Sequence, residues 1–235
     1  VIYVNGDSHT AGADIIPGIC FAQDDRRYLA YGRRAHPEAV LQTYGYHFSQ
    51  AMNQGFFCEA ESASSNDRIL RTTKKVIQDT GKKENLFIVI GWSSWEREEW
   101  KHGDDYLQVT ASGTDFVPEN MVEEYKEWVI KQTPEECKRK EQEWNKIISE
   151  FSNELLQQNI KHIFFHTHEY TKYLLENGFN TIGTTNHFGA DAHRAWAKHL
   201  VPIANRMYST KTDLTQPTKR SILTRVKQEF KGLKR

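Results

Sequence analysis

Two kinds of apolar run alternate along the chain. Short β-preferring runs lie at Val1-Ile2-Tyr3-Val4, Phe56-Phe57-Cys58-Glu59-Ala60, Leu86-Phe87-Ile88-Val89-Ile90 and Ile160 to Phe165, and they predict four strands. The third is apolar throughout, the pattern of a central parallel strand covered on both faces. Between the strands, apolar residues recur at helical spacing. Val40, Leu41, Tyr44 and Phe48 predict a helix opened by Pro37, running to about Asn53 and ended by Gly55. A second spans Ile69 to Asp79 and stops near Gly81. A long helical region from about Glu119 to Gln158 is interrupted near Pro134, with Trp128, Trp144, Ile147, Ile148, Phe151 and Leu155 as its buried stripe. Short and long helices follow at Tyr170–Glu176 and Ala190–Met207, the latter with Ala195, Trp196, Leu200 and Ile203 inward. Strand–helix alternation of this kind predicts an α/β protein, a three-layer α/β/α sandwich with a central parallel sheet. Its strand ends form one functional rim.

Three stretches fall outside this rhythm. Residues 11–37 are irregular, punctuated by Gly12, Pro17, Gly18 and Gly32. Residues 98–118 read as an insertion, a short hairpin around Tyr106-Leu107-Gln108-Val109-Thr110 and Gly113. The last stretch, 209–235, carries eight Lys/Arg against Asp213 and Glu229, a local charge of +6. The whole chain balances at 31 basic and 31 acidic residues, so the body 1–208 carries the compensating −6. The division is therefore a domain over 1–208 and a basic amphipathic tail. Ile222, Leu223, Val226 and Phe230 form the tail's apolar stripe, which reads as a docking surface for a partner, a membrane surface or the acidic body of the protein itself, with the protein itself or a like subunit as the default. Neutral overall charge and the lack of a binding motif argue against nucleic acid. Cys20, Cys58 and Cys137 are scattered, without metal-ligand spacing, and read as free thiols in a reducing compartment. No run approaches membrane-span length, and the expectation is a cytoplasmic protein.

Candidate chemistry gathers on the rim. Gly6-Asp7-Ser8-His9-Thr10 follows the first strand directly, so the Ser8 hydroxyl stands at a strand's carboxyl end, where a following helix offers free backbone N–H groups to a developing negative charge. A serine nucleophile also needs a base, and His187 lies in the loop before the last helix. His193 is the competing base, with Asp191 nearby, but reads better as a hydrogen-bonded structural histidine. His9 reads as part of the pocket wall. His166-Thr167-His168 at a strand end has the alternation of a metal site but no supporting ligands, and reads as solvent-exposed rim histidines; no metal or cofactor is expected. Trp92, Trp95 and Trp100 read either as a stacking platform for a substrate or as core, and Glu96-Arg97 as an ion pair that orients a substrate.

These residues resemble the blocks of the SGNH (GDSL-like) hydrolases. Gly6-Asp7-Ser8 resembles the first block, Ser62-Ala63-Ser64-Ser65-Asn66 the second and Gly91-Trp92-Ser93-Ser94 the third. His187-Phe188-Gly189-Ala190-Asp191-Ala192-His193 resembles the last. The resemblance implies the flavodoxin-like SGNH fold and a serine esterase acting through an acyl-enzyme. Ser8 is then the nucleophile and His187 the base; Ser8 and Ala63 backbone N–H groups, with Asn66 and Ser93, form the oxyanion hole, and Asp7 supports the turn. It also implies a small ester or acylated-glycan substrate, such as an O-acetyl group. Three positions depart from the family: Thr184 stands where it has the orienting Asp, Ala63 where it has Gly, and Ser93 where it has Asn. The base is then held by a backbone carbonyl, by Asn186, or by a carboxylate from elsewhere. The altered blocks leave open an alternative, a catalytically degenerate fold used for binding or as a phage structural protein. The set Gly-Asp-Ser-His-Thr, Ser-Ala-Ser-Ser-Asn-Asp-Arg and Gly-Trp-Ser-Ser-Trp-Glu-Arg is similar to SGNH-like proteins of marine cyanophages, which implies a host-cytoplasm or virion location.

Overall fold

The structure is a computed structural model that describes residues 1–16, 34–111 and 117–209. The basic tail beyond 209, Cys20, Gly113 and residues 17–33 of the irregular segment lie outside the described residues. The strands are β1 (Ile2–Asn5), β2 (Phe56–Cys58), β3 (Phe87–Trp92), β4 (Glu98–His102), β5 (Asp105–Val109) and β6 (Lys161–His166). The helices are α1 (Ser8–Ala11), α2 (Pro37–Val40), α3 (Tyr44–Ala51), α4 (Asn66–Asp79), α5 (Val122–Ile130), α6 (Pro134–Gln157), α7 (Thr167–Glu176) and α8 (Ala190–Ser209).

The main sheet has the order β2-β1-β3-β6, with every pairing parallel. Alternation along the strands divides the core in two. Ile2, Val4, Phe87, Val89, Ile163 and Phe165 face α3, α7 and α8, where they meet Phe48, Tyr170 and Trp196. Tyr3, Ile88, Ile90, Trp92 and Phe164 face α4 and α6, where they meet Ile69, Ile148 and Phe151. Burying each such side chain contributes about 1.5–3 kcal/mol, which is why the strands read as unbroken apolar runs. The four-strand parallel sheet between helix layers is the α/β architecture expected from the sequence. Strand order reverses on the two sides of β1, so a crevice opens between the carboxyl ends of β1 and β3.

Boundaries differ where a polar side chain caps an element. The helix expected over 37–53 is two helices, α2 and α3. Thr43 Oγ1 donates to Val40 O at 2.7 Å and accepts from Tyr46 N at 3.5 Å, closing one helix and opening the next. Ser65 caps α4, accepting from Arg68 N at 3.3 Å, and so the helix begins at Asn66 rather than Ile69. β4 and β5 form the expected hairpin, antiparallel from the pair Glu98–Val109 to the pair His102–Asp105. Leu107 and Val109 pack with Tyr125 and Trp128 of α5 in a small separate core. Cys58 and Cys137 are free. Among the described residues, no helix is long and apolar enough to cross a membrane.

Candidate active site

The site grows from the end of β1. Asn5 is fully buried; its Nδ2 donates to Tyr3 Oη at 2.9 Å and Thr72 Oγ1 at 2.8 Å, while its Oδ1 accepts from Gly6 N at 2.9 Å. These bonds pin the strand end to α4. Gly6 follows where a Cβ would lie 2.8 Å from Gly91 O and collide with the Thr10 side chain, so the ends of β1 and β3 approach as only glycine allows. Asp7 caps α1, accepting from His9 N at 3.1 Å. Thr10 N and Ala11 N both donate to Asp7 O. Ser8 occupies the first helical position, where a helix leaves its N–H unpaired.

α1 lasts four residues. Gly12 ends it in the left-handed region at φ 73°, and Asp14 is left-handed again at φ 63°, so the chain doubles back toward its own start. The opposite wall comes from the loop before α8. Thr181 bridges to Phe188, Ile182 N donates to His187 O at 2.8 Å, and His187 N donates to Thr185 Oγ1 at 3.3 Å. Phe188 is buried in the core beneath, which fixes the backbone that carries His187.

These two turns meet. His187 Nε2 lies 2.8 Å from Ser8 Oγ, and His187 Nδ1 lies 2.6 Å from Asp14 Oδ2. A carboxylate only accepts, so Nδ1 carries the proton and donates it to Asp14, while Nε2 accepts from the Ser8 hydroxyl. Hydroxyl, imidazole and carboxylate thus form one continuous chain in the tautomer suited to removing the Ser8 proton. Asp14 was not among the residues singled out in the sequence. Thr184 and Asn186, the positions considered for the orienting role, are exposed, and the His187 ring bonds neither. The available signal was Gly12, whose left-handed cap reverses the chain just after Ser8.

Two further histidines surround this chain and differ in role. His193 is 1% exposed, stacked on the Tyr44 ring. Its Nδ1 accepts from Tyr44 N at 3.1 Å and its Nε2 lies 3.3 Å from Tyr170 Oη. Burial depresses it to about 3, aided by His9, His47 and His187, so it is a neutral, bonded structural histidine. His9 packs edge-on against the His187 ring at 5.0 Å between centroids. Burial lowers its pKa, against the pull of Asp7 and with help from His187 and Arg97. Its ring packs behind that of His187.

Other expected positions are occupied differently. Asn66 and Ser93 bond each other: Asn66 Oδ1 accepts from Ser93 N at 2.8 Å, and Asn66 Nδ2 donates to Ser93 O at 3.2 Å. Ser93 Oγ donates to Asp7 Oδ2 at 3.0 Å. Both side chains brace the rim instead of presenting free donors. Ala63 has φ 61°, the conformation a glycine adopts without strain, and its loop is tied to the Ser8 turn by Glu61 N donating to Gly6 O at 3.3 Å. Trp92 shares the parity of Ile88 and Ile90 and lies in the core against Trp144, Phe151 and Phe164, so it is no stacking platform. Trp100 packs on Trp128, and Trp95 lies edge-on to His166 at 4.6 Å. Glu96 is exposed, and Arg97 pairs not with it but with Asp7, Nη1 to Oδ2 at 3.3 Å. His166 ends β6 while Thr167 begins α7, so His166 and His168 do not share a strand face; His166 is buried and His168 exposed. Among the described residues no group of three or more potential ligands is placed to hold a metal.

A second hydroxyl–imidazole pair gives a contrast. Ser152 Oγ lies 2.7 Å from His162 Nε2, with His162 Nδ1 donating to Ile160 O at 3.1 Å. Both residues are buried between α6 and β6, away from any helix N-terminus. This pair locks a helix to a strand.

No protein-family profile and no curated protein sequence matches the chain. One solved structure is similar, that of a carbohydrate esterase whose active site displays divergent catalytic and non-catalytic binding functions. The identity is 14% and the TM-score 0.39, over 87% of this chain and 64% of that one. The chain therefore spans less than two thirds of the protein it matches.

Proposed function

We propose that the protein is a serine esterase of SGNH type that cleaves a carboxylic ester through an acyl-enzyme. The observation that carries this reading is the chain Ser8 Oγ–His187 Nε2–His187 Nδ1–Asp14 Oδ2, with links of 2.8 and 2.6 Å, at a helix N-terminus on the sheet's crevice. His187 takes the Ser8 proton as Oγ bonds to the acyl carbon, and Asp14 stabilises the imidazolium that forms. The electron pair of the carbonyl moves onto its oxygen, which is held by the N–H groups of Ser8 and Ala63. As the tetrahedral adduct collapses, His187 returns the proton to the leaving alcohol. Water repeats the sequence on the acyl-enzyme, releasing the acid and restoring Ser8. An O-acetyl group on a glycan is the substrate the SGNH resemblance favours.

The test is hydrolysis of p-nitrophenyl acetate by wild type, Ser8→Ala and His187→Ala, alongside labelling of Ser8 by a fluorophosphonate. Turnover and labelling by wild type, both lost in Ser8→Ala, support the reading. Neither in wild type overturns it and leaves the crevice as a binding site.

A further inference from the structure

Asp7 stands one residue before the hydroxyl that the proposed reaction uses, and its carboxylate is 3% exposed. Oδ1 accepts from His9 N. Oδ2 collects Ser93 Oγ at 3.0 Å, Thr167 Oγ1 at 3.2 Å and Arg97 Nη1 at 3.3 Å. Ser93 and Thr167 directly follow β3 and β6 and Arg97 ends the loop into β4, so Asp7 ties the end of β1 to those of β3 and β6. Only Arg97 among these donors brings a charge. Its Nη1 also donates to Ser93 Oγ at 2.8 Å, which turns the Ser93 hydroxyl hydrogen onto Asp7. The charge of Asp7 is felt nearby: it works against burial at His9 and adds to burial at Tyr44 and Tyr170. An uncancelled anion there opposes an oxyanion forming at the Ser8 N–H.

We propose that Arg97 is a positioning residue that acts through Asp7, cancelling its buried charge so that the Ser8 N–H meets the oxyanion unopposed. Its catalytic half rests on the esterase reading; the charge pairing does not. Arg97 is then no substrate clamp, because the pair is set before any substrate arrives. The groups facing Ser8 and His187 are Asp14, His9 and, behind them, His193; those facing Asp7 are Arg97, His9, Tyr44, Tyr170 and two neutral hydroxyls.

The experiment compares wild type, Arg97→Gln, Asp7→Asn, Asp7→Asn/Arg97→Gln and Arg97→Lys by urea unfolding and by the pH profile of p-nitrophenyl acetate hydrolysis. Asn keeps the helix cap. Arg97→Gln lowers kcat by roughly tenfold or more with KM within about threefold. An uncancelled carboxylate favours the protonated base, so the acid limb of kcat/KM moves up by about half to one pH unit. The double variant regains most of kcat and returns the limb, and Arg97→Lys keeps the wild-type limb. In urea, the double variant recovers at least half of the midpoint lost in Arg97→Gln. A rise in KM alone, or a limb that stays put while kcat falls, overturns the catalytic half. If wild type hydrolyses no ester, the esterase reading and that half fall together, while the urea cycle still decides the pairing. Purely additive effects in urea overturn the pairing itself.

Discussion

Replacing Asp14 by Asn is the sharpest perturbation the site offers, because it keeps the shape and removes one charge. The 2.6 Å contact to His187 Nδ1 becomes a neutral one, and the amide favours the tautomer in which Nε2, not Nδ1, carries the proton. That ring cannot accept from Ser8. In a fully buried Ser-His-Asp arrangement the same change costs about 10⁴ in kcat. Here Asp14 and His187 side chains are 29% and 20% exposed, so water screens part of the charge. Unit charges about 4 Å apart at an effective dielectric near 20 interact by about 4 kcal/mol, an upper bound for the imidazolium's stabilisation. The expected loss is therefore about 10²- to 10³-fold in kcat, roughly 3–4 kcal/mol. On the esterase reading KM stays within about threefold, because Asp14 bonds His187 and acts on the substrate only through it. Steady-state hydrolysis of p-nitrophenyl acetate near pH 8 reads both quantities. A variant within threefold of wild type, in an enzyme that Ser8→Ala and His187→Ala abolish, refutes the role given to Asp14.

Three other outcomes follow from local geometry. Ala63→Gly relieves a left-handed alanine and raises stability by about 0.5–1 kcal/mol, seen as a Tm gain of roughly 1–4 °C; a lower Tm contradicts the strain. Gly6→Ala drives a Cβ toward Gly91 O and Thr10, lowering stability by about 1–3 kcal/mol and kcat by more than about tenfold as Ser8 shifts; unchanged kcat rejects the tight approach. Asp67 in the first turn of α4 is pushed up to about 6 by burial and by Glu98 and Glu99, against a backbone N–H from Glu99. The folded state holds that proton more tightly than the unfolded chain, so stability falls as pH rises from about 4 to 6 and stays reduced above. Asp67→Asn therefore stabilises by about 1–2 kcal/mol at pH 7.5, a partly exposed group's share of the full linkage, and by nothing near pH 3.5; urea unfolding at both values tests it.

Strands and helix layers were legible because each strand is buried on both faces and each long helix shows one apolar stripe. Boundaries set by a hydroxyl were not: Leu41 and Tyr44 continue a helical spacing, and only the Thr43 side chain shows that the helix breaks between them. Ser8 and His187 were legible from their blocks, whereas Asp14 was hidden. Nothing in residue types marks an aspartate as doubling back, since two consecutive left-handed turns at Gly12 and Asp14 are a property of the backbone path. Trp92 was left between two readings, platform or core, for a different reason. An all-apolar strand hides its period, and the shared parity with Ile88 and Ile90 was the clue to its place in the core.

The bonded chain at the crevice also divides unevenly between near and far residues. Hydroxyl and carboxylate lie within residues 8–14, while the imidazole comes from position 187. Two of the three members are therefore delivered by one local turn. Changes of length or sequence in the 181–188 loop have one quantity to preserve, the reach of a single ring. Position 184 is thereby released from carrying an acid.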